Sequence, residues 1–234
     1  MKKWIVEEIV AILGGVFTVL FFLFIMFWMV SCFSGSAFAA PLSFRKINVN
    51  LVVANGPGAL TKREANQYWK SVQVYYAANG IPMRRNRLRV VPDYFAHYNH
   101  YETRLQQLKE WGAWLGRNGL LGRRVIAHVI TPLLDEKYFG GYASGGFCRP
   151  NSWSVGNMAL KRIGGGDGKP FGTTVMAHEM AHMLGADHRD QPAYNLMNTN
   201  ILPLVATEIP PMHYYTRAVV GWCYSNRYAV RKGR

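Results

Sequence analysis

Acidic residues are scarce. Asp and Glu together number 13 against 27 Lys and Arg, leaving a formal net charge of +14 over 234 residues. The scarcity leaves no oxygen-rich loop of the kind that cages calcium. It favours anionic surroundings, such as phospholipid surfaces, wall polymers or acidic substrates, or else a solvated basic surface with no partner. The basic run 84–89, Arg-Arg-Asn-Arg-Leu-Arg, lacks the interleaved aromatics of a single-strand nucleic-acid platform, so no specific nucleic-acid motif is present. Cysteine is also rare. Cys32, Cys148 and Cys223 are the only three, too few for a disulfide-dense scaffold. No internal repeat and no long low-complexity linker occurs, which excludes a repeat array and fits one ordinary domain with a short appendage. Gly164-Gly165-Gly166-Asp167-Gly168 is followed by Lys169-Pro170 and lacks the Gly-Lys-Ser/Thr of a phosphate cradle.

Charge is wholly missing from one stretch, and there the absence is itself the signal. Residues 9–30 form a 22-residue run without a charged side chain, long enough to cross a bilayer as a helix. Ala37-x-Ala39 behind it fits a signal-peptidase site, so residues 1–39 read as a signal peptide or an uncleaved membrane anchor. Lys2 and Lys3 would hold the N-terminus in the cytoplasm, although Glu7 and Glu8 dilute their charge. Residues 40–234 would then be exported: periplasmic, extracellular or anchored to the outer face of the inner or plasma membrane. Cys32 falls near the apolar run, and Met29-Val30-Ser31-Cys32 is a poor match to a lipoprotein acylation box. That leaves Cys148 and Cys223 in the folded part, where an oxidising compartment favours a bridge over free thiols.

Periodicity places the elements. Residues 47–53 alternate and then turn apolar, as a strand does, and Asn55-Gly56-Pro57-Gly58 ends it. Residues 61–79 read as a helix opened by a Thr61/Glu64 capping box, with Ala65, Tyr68, Trp69, Val72, Tyr75 and Tyr76 at core spacing. A short strand over 88–91, a helix over 101–118 and a buried strand over 124–130 follow. Residues 140–154 read as a glycine-rich loop and 155–160 as an edge strand. The order points to an α+β fold, a mixed sheet backed by helices.

The chemistry concentrates in HEMAHMLGADH, residues 178–188, on a helix expected over 171–184 with its cap near Thr173 or Thr174. His178 and His182 stand four apart, so one helical face presents both imidazoles to a single point. Neutral imidazoles at that spacing can share Zn2+. His188 completes a three-histidine set if the chain turns sharply after the helix, and Gly185 is the residue suited to the left-handed conformation of that turn. Glu179 adjoins the first ligand and reaches the metal-activated water as a general base, passing its proton on to the leaving amine. Five fixed positions in eleven arise by chance on the order of once in 10⁴ chains of this length. His97 and His100, three apart in an aromatic loop, read as surface or packing residues; His128 reads as a strand residue near the core, and His213 carries no role.

This long motif resembles the metzincin metalloprotease signature. Tyr194-Asn195-Leu196-Met197-Asn198, with Met197 nine residues past His188, is similar to the family's Met-turn, which implies Met197 as an apolar floor beneath the zinc site. GGYASGGFCRPNSWSV followed by TTVMAHEMAHMLGADH is similar to the adamalysin, or reprolysin, branch. That likeness implies a zincin-like catalytic domain and a disulfide between Cys148 and Cys223. It also implies a cleft rim along 147–155 that binds substrate backbone as an added strand, and a wall through Pro203 for the residue after the scissile bond. Thr199 stands two residues after Met197, so the tyrosine ligand of some branches is missing, and against the family's pattern neither a pro-domain, a zinc-blocking upstream cysteine nor accessory regions are expected.

The function expected is an exported zinc-dependent endopeptidase acting on protein or peptide, touching a membrane through its N-terminal segment if that stays uncleaved. Two alternatives stay open: a zinc-stabilised binding protein on an anionic surface, which leaves Glu179 idle, and a zinc amidase acting on cell-wall peptides.

Overall fold

The computed structural model describes residues 46–100, 102–132, 141–144, 148–157, 169–188, 195–198 and 209–228. The chain divides into two compact units, residues 1–42 with Arg234 and residues 43–233, and everything described belongs to the second. The signal or anchor segment lies outside the described residues, as do Phe147, Tyr194, Thr199 and Pro203. Among the described residues no helix is long and apolar enough to cross a membrane.

Five strands form one sheet in the order β2-β1-β3-β5-β4. They are β1 (Ile47–Asn55), β2 (Met83–Pro92), β3 (Val125–Thr131), β4 (Gly141–Ala143) and β5 (Trp153–Asn157). β2, β1, β3 and β5 run parallel, and only β4 is antiparallel, paired to β5 through Gly141↔Gly156, Tyr142↔Val155 and Ala143↔Ser154. Helices α1 (Lys62–Ala78), α3 (Lys169–Met183) and α4 (Tyr214–Cys223) share one large core with one face of the sheet. Helix α2 (Arg104–Arg117) packs through Leu108, Trp111 and Leu115 on the other face. β1 and β3 are buried on both faces, which is why their sequences run apolar with little alternation.

Local chemistry explains the boundaries. The Thr61 side chain accepts from the Glu64 amide while Glu64 accepts from the Thr61 amide at 2.8 Å, closing the capping box at the start of α1. α2 turns Leu108, Trp111 and Leu115 inward, and Gly112 faces the Trp153 ring so closely that a Cβ would lie 2.3 Å from it. α3 buries Met176, Ala177, Met180, Ala181 and Met183 in the large core that it shares with the sheet and α1, and His178, Glu179 and His182 interrupt that apolar run. The Tyr76 hydroxyl on α1 donates to the Ala177 carbonyl of α3 at 2.7 Å, tying the two helices across the core.

Four sequence expectations are corrected. β2 is ten residues long, not four, because an edge strand with solvent on one side tolerates the run Arg84–Arg87 that looked too polar for a sheet. The glycine-rich loop contains a strand, β4, and the strand expected at the edge, β5, lies inside the sheet between β3 and β4. Finally, α3 begins at Lys169, so Thr173 and Thr174 are buried inside the helix and do not cap it.

Cys148, just before β5, is joined to Cys223 at the end of α4, with Cα atoms 5.5 Å apart and a sequence separation of 75. Both sulfurs sit in the large core. Closing a loop of that length restricts the unfolded chain by roughly 4 kcal/mol in the chain-entropy account. Replacing both cysteines with serine is therefore expected to lower the unfolding free energy by about 2–5 kcal/mol, read from urea titrations of the two proteins; no change would mean that the bridge contributes nothing.

Candidate metal centre

α3 carries His178, Glu179 and His182, and the chain leaves it by a turn at Gly185, whose φ of +95° lies in the left-handed region. That turn returns the chain so that His188 faces the helix. A side chain at Gly185 would also press on the Cys148 backbone and on Val219, each 3.5 Å from its Cβ, so the bridged cysteine stands directly behind the turn.

The three Nε2 atoms converge: His178 to His188 is 2.8 Å, and His182 lies 3.0 Å from each. No other group of three metal-ligating side chains occurs among the described residues. The opposite ring nitrogens of His178 and His182 settle which proton those two imidazoles hold. His178 Nδ1 lies 2.6 Å from the Leu196 carbonyl oxygen and His182 Nδ1 2.7 Å from that of Ala186. A carbonyl oxygen only accepts, so both Nδ1 atoms carry the hydrogen and both Nε2 atoms present lone pairs. Burial, with the neighbouring imidazoles, pushes His178 down to about 3; burial likewise lowers His182 to about 4 and brings His188 below its ordinary value. Neutral imidazoles with lone pairs turned inward cannot satisfy one another. A cation between them can, and an all-nitrogen set of three with room for a further ligand fits zinc.

Glu179 is 3% exposed, and its Oε2 is buried without a hydrogen-bond partner among the described residues. An orphan carboxylate oxygen is costly, so its persistence beside the histidines marks a group placed for something other than stability. Burial raises its carboxyl well above the ordinary range. β4 closes over it. A Cβ on Gly141 would lie 2.9 Å from Glu179 Cγ and 3.0 Å from Oε1, as well as 2.6 Å from the Val155 carbonyl oxygen. Only glycine allows the strand to approach this closely. Nothing in the motif pointed to Gly141; the signal available was a glycine at the start of the glycine-rich loop upstream of the helix.

Met197 is fully buried in the large core. The neighbouring backbone does the visible work: Asn195 Oδ1 accepts from the Met197 amide at 2.8 Å, and the Leu196 amide donates to the Pro211 carbonyl at 3.1 Å. The turn thereby offers the Leu196 carbonyl to His178, a contact that sequence reasoning missed because a backbone acceptor leaves no residue signature. β5 is hydrogen-bonded on both edges, so Trp153–Val155 cannot add a substrate strand; the sheet's edge on this side is β4. His97 and His100 are exposed and join no metal-ligating group, while His128 is buried on β3, its Nδ1 2.8 Å from Ser154 Oγ.

The fold is similar to those of two solved proteins of low sequence identity. Metalloproteinase-II from Bacteroides fragilis superposes with a TM-score of 0.55 at 14% identity, over 79% of this chain and 55% of that one. The chain thus spans little more than half of that protein. Archaemetzincin from Methanopyrus kandleri superposes with a TM-score of 0.51 at 17% identity, over 77% of this chain and 97% of that one. No protein-family profile and no curated protein matches the sequence. The zincin-like fold is what these likenesses establish.

If the three nitrogens form a metal site, adding one equivalent of zinc to the chelator-stripped protein raises its Tm, as any ligand that binds only the folded state must. His182→Ala should abolish that shift; an equal shift in the variant would place the metal elsewhere.

Proposed function

We propose that this chain is a zinc-dependent endopeptidase of metzincin type. The observation that carries the reading is the pairing of three converging imidazole nitrogens with a buried Glu179 carboxylate oxygen that has no hydrogen-bond partner among the described residues. A binding protein stabilised by zinc has use for the first feature and none for the second.

His178, His182 and His188 would hold the ion, with Leu196 and Ala186 fixing the first two rings through their carbonyls. Zinc supplies Lewis acidity that activates water and polarises the scissile carbonyl. Glu179 Oε2 accepts the proton of the attacking water and returns it to the departing amine. Burial keeps bulk water from competing for that oxygen. Among the described residues β4 pairs only with β5, and its other backbone edge, beside Glu179, is suited to an extended peptide lying as an added strand. Met197 supports the floor of the site from the core. The likeness in fold to a Bacteroides fragilis metalloproteinase and to an archaemetzincin agrees with this reading. Export, with residues 1–39 as signal or anchor and 40–234 as the catalytic domain, is supported by the uncharged run 9–30 and Ala37-x-Ala39.

The test is cleavage of denatured casein and of isolated cell wall by the zinc-loaded protein beside Glu179→Gln. The expected result is chelator-sensitive casein cleavage that falls by about 10²–10⁴-fold in the variant, the range for a lost general base, with zinc content unchanged. Cleavage of wall material alone would replace the endopeptidase by an amidase. Cleavage of neither substrate, with zinc bound, would favour the binding protein. Gly141→Ala should also lower casein cleavage at constant zinc content, by pushing β4 and the Glu179 carboxylate apart; unchanged cleavage would contradict the close approach.

A further inference from the structure

β4 is only three residues long and is paired on one side, which leaves an edge of this kind prone to fraying. Its neighbour β5 has its own tie to α2, where the Trp153 indole donates to the Leu108 carbonyl at 2.9 Å and the ring packs on Gly112. β4 has a different one. Tyr142 points to the α2 face, packing against the cluster of Leu108, Trp111 and Val155, while Gly141 and Ala143 turn to the opposite face, toward Glu179 and the large core.

From Tyr142 a line of hydrogen bonds runs through the protein in one direction. The Tyr142 hydroxyl donates to Gln107 Oε1. Gln107, fully buried on α2, donates through Nε2 to Asn99 Oδ1. Asn99, 1% exposed, donates through Nδ2 to Asp93 Oδ2 at 2.9 Å and to the Pro132 carbonyl at 2.6 Å. Thr131, at the end of β3, donates to the same Asp93 oxygen at 3.1 Å. Each amide accepts from one neighbour and donates to the next, and the line ends on an acceptor-only carboxylate. That end fixes the orientation of both amides and obliges Tyr142 to donate. The proposed reaction uses none of these four side chains, yet two of them are fully or almost fully buried polar groups held at a cost.

We propose that Asp93, Asn99, Gln107 and Tyr142 form a positioning relay that pins β4 to α2 and the end of β3, holding Gly141 against Glu179 and keeping the strand's open edge straight for an extended substrate. These are positioning residues: none touches the metal ligands. The substrate part rests on the endopeptidase reading; the pinning of β4 does not.

The test uses the zinc-loaded full-length protein and two variants that keep side-chain bulk, Tyr142→Phe and Gln107→Met. Amide hydrogen exchange over residues 141–144 reads the pinning without catalysis. Kinetics on an extended peptide of about eight residues, compared with a short substrate confined to the scissile bond, read its use. Exchange is expected to quicken roughly tenfold in both variants, the usual effect of one lost hydrogen bond. KM for the extended peptide should rise by a similar factor, with kcat and the short substrate's KM changing less than about twofold. Unchanged exchange would overturn the relay. Faster exchange with both substrates affected alike would refute the rail role and leave a merely structural tie. Faster exchange in a protein whose zinc-loaded wild type cleaves no peptide would keep the pinning and remove the endopeptidase reading beneath it.

Discussion

Imidazole lone pairs turned toward one another repel unless a cation lies among them, and much of this domain serves to hold three of them together. Two carbonyls, from Leu196 and Ala186, supply the orientation by taking the Nδ1 protons of His178 and His182. Neither carbonyl belongs to the helix that carries the rings. One comes from the turn after the helix and the other from a segment ten residues past it, so the site needs both returns of the chain to be in place. The disulfide serves the first return, since Cys148 stands behind Gly185. The hydrogen bond from the Leu196 amide to Pro211 serves the second.

The rest of the architecture can be understood as support for one buried helix. Along Val175–Met183 of α3 only His178 and His182 are partly exposed, so the helix's stability comes from packing more than from helix propensity. The parallel strands give it a rigid apolar floor, and Tyr76 fastens it to α1. On the far side of the sheet, α2 has a different task, fixing the two strands nearest Glu179 through Trp153 and Tyr142. The two faces of the sheet thus divide the work, one holding the metal ligands and the other the edge that would meet a substrate.

What the sequence revealed follows from how local each signal is. The motif over 178–188 and the capping box at Thr61 and Glu64 are short-range patterns with a direct physical meaning, and both pieces of geometry are present in the structure. The left-handed turn at Gly185 belongs with them. The Cys148–Cys223 pairing was reached through resemblance, because two cysteines 75 residues apart carry no local sign of contact. Strand order was illegible for a related reason. β4 has three residues, two of them glycine or alanine, and its strand character comes from β5 alone. The arginines of β2 hid a strand because polarity is compatible with a sheet edge and was weighed as if the strand were central. Backbone carbonyls at Leu196 and Ala186, and the relay from Tyr142 to Asp93, lie beyond any pattern in a single sequence, since each depends on segments meeting in space.

The central claim is that His178, His182 and His188 share one zinc ion through Nε2. Anomalous diffraction at the zinc edge from crystals of the zinc-loaded protein tests it most directly. The account predicts a single strong peak bounded by the three Nε2 atoms, at the ~2.0–2.1 Å separations of zinc–imidazole bonds. A strong peak elsewhere, or none at the histidines despite zinc in the crystal, would contradict it.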